Sequence, residues 1–152
     1  MKKVLALFAA SCTVAGALWS APAAAQFAKP EDAVKYRQSA FTLIGSHFGR
    51  MAPVVKGDAP HDPAQIKANV QVLQTLAGLP WAAFGAGTEG GGAKAEIWRD
   101  EAGFRKAQQR FNDSVAKLAV AADGNDLGQL RAAFGDVGAS CKACHDSYRQ
   151  RR

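Results

Sequence analysis

Five consecutive residues near the end of the 152-residue chain, Cys141-Lys142-Ala143-Cys144-His145, carry the clearest chemistry in the sequence. They fit C-x-x-C-H, the attachment signature of a c-type haem. Two thiols three residues apart on a helix share a face, so both can reach the two vinyl groups of one porphyrin as thioethers. His145 then brings an imidazole nitrogen to the same plane as an axial iron ligand. Other chemistries compete for the pattern. A thioredoxin-like redox pair also uses C-x-x-C, but it sits at a strand–helix junction and places no demand on the next residue. A structural zinc would need a second ligand pair, and His47 and His61 make a poor one. Buried structural thiols remain the plain alternative. The expected cofactor is one covalently attached haem c.

The elements that must hold this motif read as helices. The last one carries Leu127, Leu130, Phe134, Val137, Cys141, Cys144 and Tyr148 at alternating steps of three and four, a seam facing partner helices. Both cysteines are therefore at core positions. The first helix begins at Pro30 and carries Val34, Phe41, Ile44, Phe48, Met51 and Val55, with Arg37 in a seam slot; Pro53 is expected to kink or end it. Asp62 caps a second helix that starts at Pro63 and runs to Ala77 before Gly78 and Pro80. Trp81 to Ala95 reads as a long glycine-rich loop in which Trp81 and Phe84 are too apolar to sit in water. The third helix is expected from about Lys94 to Ala122. Strand-like alternation is absent, so the fold class is all-α, an antiparallel up-down-up-down four-helix bundle.

Residues 1–25 read as a cleaved secretory signal peptide, with Lys2 and Lys3, an apolar run from Val4 to Trp19, and Ala23-Ala24-Ala25 before Gln26. Cys12 lacks the Leu-led box of a lipoprotein anchor. The expected domain is 26–152, that is 127 residues, enough for one core. Removing two of the 19 basic residues and none of the 13 acidic ones leaves a formal charge of +4. The positive residues are scattered, which argues against nucleic acid, and no apolar run of membrane-spanning length remains after cleavage. Export implies the periplasm and an oxidising compartment, where a pair of cysteines normally forms a disulfide; three residues apart, such a bond would staple almost nothing.

Taken with the Trp81…Phe84-Gly85 loop, the Glu96-Ile97-Trp98 segment, Arg37-Gln38-Ser39-Ala40 and the Tyr148-Arg149 that follows the motif, the chain resembles the cytochromes c′, the high-spin branch of class II c-type cytochromes, over nearly its whole mature length. Cytochromes c′ are themselves among the known up-down-up-down bundles. The resemblance implies where the iron's other face lies. In methionine-ligated class II members the sulfur sits four residues after an arginine on the first helix; here that position, four after Arg37, is Phe41. It implies five-coordinate iron, His145 proximal and Phe41 at the distal face, where leucine is usual. Trp81 and Phe84 would pack on the haem, Arg37 and Gln38 would lie near its propionates, and Arg149, four residues after His145, would line the proximal pocket. Met51 reads as core filler, His47 as an interface or surface residue and His61 as solvated.

The function implied is a periplasmic protein that binds NO and CO and buffers nitrosative load; the alternative is a one-electron carrier with a periplasmic redox partner. A thiol oxidoreductase using Cys141 and Cys144 is a weaker third idea. No acid, base or nucleophile constellation suggests an enzyme. Family habit further implies a homodimer through helices 1 and 2.

Overall fold

The computed structural model describes residues 26–124 and 126–151. The signal-peptide expectation for residues 1–25 lies outside them. Five α-helices and one 3-10 turn are present among the described residues: α1 (Pro30–Lys56), α2 (Pro63–Ala77), the 3-10 turn (Leu79–Phe84), α3 (Glu96–Arg99), α4 (Glu101–Asp123) and α5 (Leu127–Tyr148). The bundle helices are α1, α2, α4 and α5. Its core joins Ile44, Met51 and Val54 of α1, Ile66, Val70 and Leu73 of α2, Phe111, Val115 and Leu118 of α4, and Leu130 and Val137 of α5. No described helix is long and apolar enough to cross a membrane.

Local chemistry sets the helix limits, with three departures from expectation. First, α1 runs through Pro53 and stops at Gly57, whose φ of 90° gives a left-handed cap. The Pro53 carbonyl accepts the N–H groups of Asp58 (2.8 Å) and Ala59 (3.2 Å), so the proline joins the terminator instead of breaking the helix. The inward valine is Val54, not Val55. Second, the loop opens with an ordered 3-10 turn that buries Pro80 and Ala83. Third, the expected third helix is two. Asp100 leaves helical geometry (φ −118°, ψ 60°) and its carboxylate accepts the Gly103 N–H at 2.9 Å, starting α4 afresh. The start signals at Pro63 and Asp62 hold as read, with Asp62 accepting the Gln65 N–H.

One opening in this packing positions everything that follows. α4 lies along α5 and α2, and α1 along α2 and the 3-10 turn, but α1 and α5 meet only sparsely. Phe48 and Phe134 stack face to face between them, centroids 4.0 Å apart and planes within 6°. Beyond that stack, towards Phe41 and Cys141, the two helices leave a cavity.

Candidate haem site

The cavity measures about 720 Å³, within the usual range for a cofactor site. Cys141, Cys144 and His145 of α5 line one side; Arg37, Phe41, Ile44 and Gly45 of α1 line the other. Trp81, Phe84 and Phe104 complete its aromatic wall. Phe41 meets Trp81 edge-on at 5.7 Å and Phe84 at 6.3 Å, and Phe84 meets Phe104 at 5.0 Å. Trp81 is held by Phe104 and Phe111 as well. These contacts fix large rings at the cavity edge without filling it.

Electrostatics follow from the apolar lining. Burial pushes the Cys141 thiol up, and burial together with its neighbour Cys141 takes the Cys144 thiol up to about 11. Reactive redox thiols need the opposite, a lowered value that yields thiolate near neutral pH, so this environment counts against the thiol-oxidoreductase idea. No disulfide joins Cys141 to Cys144. Burial lowers the His145 pKa, the positive charge of Arg149 lowers it further, and Asp146 opposes them. The imidazole is thus biased to the neutral form that can donate to a metal. The Trp81 Nε1–H is buried with no partner, an orphaned donor on a wall whose shape and thiols fit a large planar group.

Sequence reasoning and geometry part company at two arginines. Arg149 is not on the helix: α5 ends at Tyr148, and Arg149 is extended (φ −112°, ψ 133°), paired with Ala93 in an isolated antiparallel bridge. Helical geometry stops one residue short of Arg149, because tail–loop hydrogen bonds replace the next helical turn. Arg149 still borders the cavity beside His145. Arg37 is 2 % exposed, and its guanidinium is engaged before any propionate could claim it. Its Nη1 donates to the carbonyls of Ala83 (2.7 Å) and Thr88 (2.6 Å), and its Nη2 donates to that of Gly90 (2.8 Å). It also lies over the Phe84 ring at 4.6 Å. Arg37 therefore organises the glycine-rich loop first, and Gln38 helps by donating from Nε2 to the Gly91 carbonyl at 2.9 Å. Gly91 needs its missing side chain there, since its φ is +61° and a Cβ would strike Val34.

The other candidate ligands lie elsewhere. Met51 is wholly buried in the helix core. His47 is half-buried between α1 and α2, its Nδ1 3.0 Å from Asn69 Oδ1. His61 is half-buried, less solvated than expected. Four further lining residues, Ile97, Phe104, Phe111 and Ser140, belong to the site. The signal for the two phenylalanines was their seven-residue spacing on one α4 face. Ser140 carried none: its Oγ donates to the Val137 carbonyl and lies 3.2 Å from Ser114 Oγ, a buried hydroxyl pair between α5 and α4.

Residues 32–149 match the family described as Cytochrome C'. The chain belongs to the cytochrome c′ family. It is 72 % identical over 127 residues to the cytochrome c′ of Alcaligenes xylosoxydans xylosoxydans, covering 84 % of this chain and all of that protein. Among solved structures it is similar to a nitric oxide complex of a mutant cytochrome c prime from Alcaligenes xylosoxidans (TM-score 0.82, 71 % identity, 84 % of this chain and all of the other). A carbon monoxide-bound variant of cytochrome c prime from the same organism matches with TM-score 0.81 and 71 % identity over 83 % of this chain and all of the other. Cytochromes c′ bind covalently attached haem c and are four-helix bundles, so the fold and the cofactor read from the sequence both hold. In the cytochrome c′ frame Cys141 and Cys144 are the residues that would anchor the group, and His145 the one that would ligate its iron.

Proposed function

We propose that this chain is a periplasmic haem c protein that binds NO and CO at a five-coordinate, His145-ligated iron, and that it buffers nitrosative load as a binder, not as an enzyme. One observation carries the reading. The cavity between α1 and α5 sets His145 and both thiols against a wall of Phe41, Ile44 and Gly45, and neither Met51, His47 nor His61 is among the residues that line it. A haem bound there supplies an iron whose open coordination position takes a diatomic ligand. The chain's own residues do the rest. Cys141 and Cys144 would tether the group, His145 would donate its imidazole nitrogen, the unpartnered Trp81 N–H would be free to donate to a polar atom of the group or to water, and Phe41, on the α1 side of the cavity, would restrict access to the iron. The NO and CO complexes of the Alcaligenes relatives support the choice of ligands. The 127-residue match to the whole of one relative equals the length that removal of residues 1–25 would leave, which supports export. We also propose a homodimer through α1 and α2, where Leu43 and Val72 present 49 % and 39 % of their surface.

Absorption and EPR spectra of the oxidised and reduced protein test the reading, with and without NO. High-spin iron that takes up NO and CO is expected; a low-spin, gas-inert form would make it an electron carrier instead. Phe41→Ala should accelerate CO association after flash photolysis, and an unchanged or slower rate would remove Phe41 from the distal face.

A further inference from the structure

A helix leaves its last four carbonyls without intrahelical partners, and its final turn frays unless something outside holds it. α5 ends at Tyr148, only three residues after His145. The imidazole is therefore placed no more firmly than the turn that carries it. The His145 carbonyl accepts the Arg149 N–H at 3.1 Å. Two of the remaining carbonyls are filled by a single residue at the end of the glycine-rich loop: Lys94 donates from Nζ to the Asp146 carbonyl at 2.8 Å and from its backbone N–H to the Tyr148 carbonyl at 2.9 Å.

The rest of the loop reinforces this grip. Gln150 N–H donates to the Gly92 carbonyl at 2.9 Å, and its Nε2 donates to the Ala93 carbonyl at 3.3 Å. The same loop is fixed to α1 through Arg37 at Gly90 and Gln38 at Gly91. The Asp146 carboxylate is turned to Lys142, whose Nζ lies 2.5 Å from it. An unbroken run of hydrogen bonds thus joins α1, the loop and the end of α5.

We propose that Lys94 is a positioning residue for the axial histidine, clamping the last turn of α5 so that His145 is held to iron when a ligand on the opposite face weakens that bond. The inference rests on the reading of His145 as the iron ligand, and it names the residue that governs how readily the histidine lets go.

Lys94→Met in the holoprotein removes the ammonium but keeps the backbone N–H. Resonance Raman of the gas-free ferrous protein should show the iron–histidine stretching band moved to lower frequency. After NO binding, His145 should leave iron about fivefold faster by stopped-flow absorbance, the factor for losing one hydrogen bond of about 1 kcal/mol. Lys94→Arg, which can still donate to the Asp146 carbonyl, should restore most of both values, and hydrogen exchange at the Arg149 amide should quicken only in the methionine variant. An unmoved band with an unchanged NO-driven rate in Lys94→Met, or equal changes in Lys94→Arg, would overturn the clamp. If the protein takes up no gas, the functional reading fails, while the gas-free band still decides the clamp.

Discussion

Arg37→Met isolates what the buried guanidinium does. The side chain keeps a similar stem, so packing on Phe84 is partly retained while every donor is lost. Removing the donors leaves the buried Ala83 carbonyl with only the Thr88 hydroxyl, 3.2 Å away, and losing the stronger of its two bonds costs about 1 kcal/mol. The Thr88 and Gly90 carbonyls are only partly buried and can recover water, so each loses about 0.5 kcal/mol. Loss of the cation over the Phe84 ring adds about 0.5 kcal/mol. Burial already lowers the Arg37 pKa, a sign that the charge is held at some desolvation cost, and relief of that cost offsets part of the total. The net expectation is about 2 kcal/mol, which for a domain of this length lowers Tm by roughly 8 °C. Arg37→Lys should fall between, since a single ammonium cannot span three carbonyls in the fork geometry of arginine. Thermal unfolding of the holoprotein gives the first readout, and limited proteolysis between Gly85 and Gly92 gives the second. A Tm drop below about 4 °C, with the loop cut no faster than in the parent, would refute the assignment of Arg37 as the loop's organiser.

Other perturbations probe separate parts of the fold. Gly91→Ala forces a left-handed residue to carry a Cβ into Val34, so Tm should fall by about 4–8 °C, equivalent to 1–2 kcal/mol, and a variant as stable as the parent would contradict the packing. Asp126 accepts the N–H groups of Gln129 and Gly128, which hold its carboxyl below the ordinary 3.8. That support is complete above the unfolded value and lost as pH falls through the lower folded one. Asp126→Asn, a cap that does not titrate, should therefore show a shallower fall of Tm with acid between about pH 5 and 2; parallel curves would refute it. Placing glutamate at both Leu43 and Val72 should convert the proposed dimer to monomer by analytical ultracentrifugation, and an unchanged sedimentation coefficient would move the interface elsewhere.

The parts of this molecule legible in the sequence were those with a strict period or a chemical signature. The α5 seam, the Asp62 cap and the Cys141–His145 motif each depend on residues close together in the chain, where helical geometry alone decides who faces whom. The misses were long-range. Nothing near Arg37 shows that its hydrogens are taken by carbonyls about fifty residues away, and nothing near Arg149 shows that the helix stops before it to pair with Ala93. The break at Asp100 is intermediate: Asp is a familiar cap, but here the Tyr148 hydroxyl also donates to its carboxylate at 3.0 Å, from 48 residues on. The cavity itself could not be read from any one segment, because it arises from the sparse contact of α1 with α5.

The hydroxyls of Ser114 and Ser140 have an axial consequence. They sit in the middle of an otherwise oily seam; each keeps its bond to a carbonyl of its own helix, but the contact between them would be lost if α5 slid by one turn along α4, at about 0.5–1.5 kcal/mol. Oily side chains alone tolerate such sliding, since leucine, valine and phenylalanine interdigitate almost as well one notch up or down. Two small alcohols thereby act as a vernier mark, and because Ser140 adjoins Cys141, they set the height at which the prosthetic group must hang.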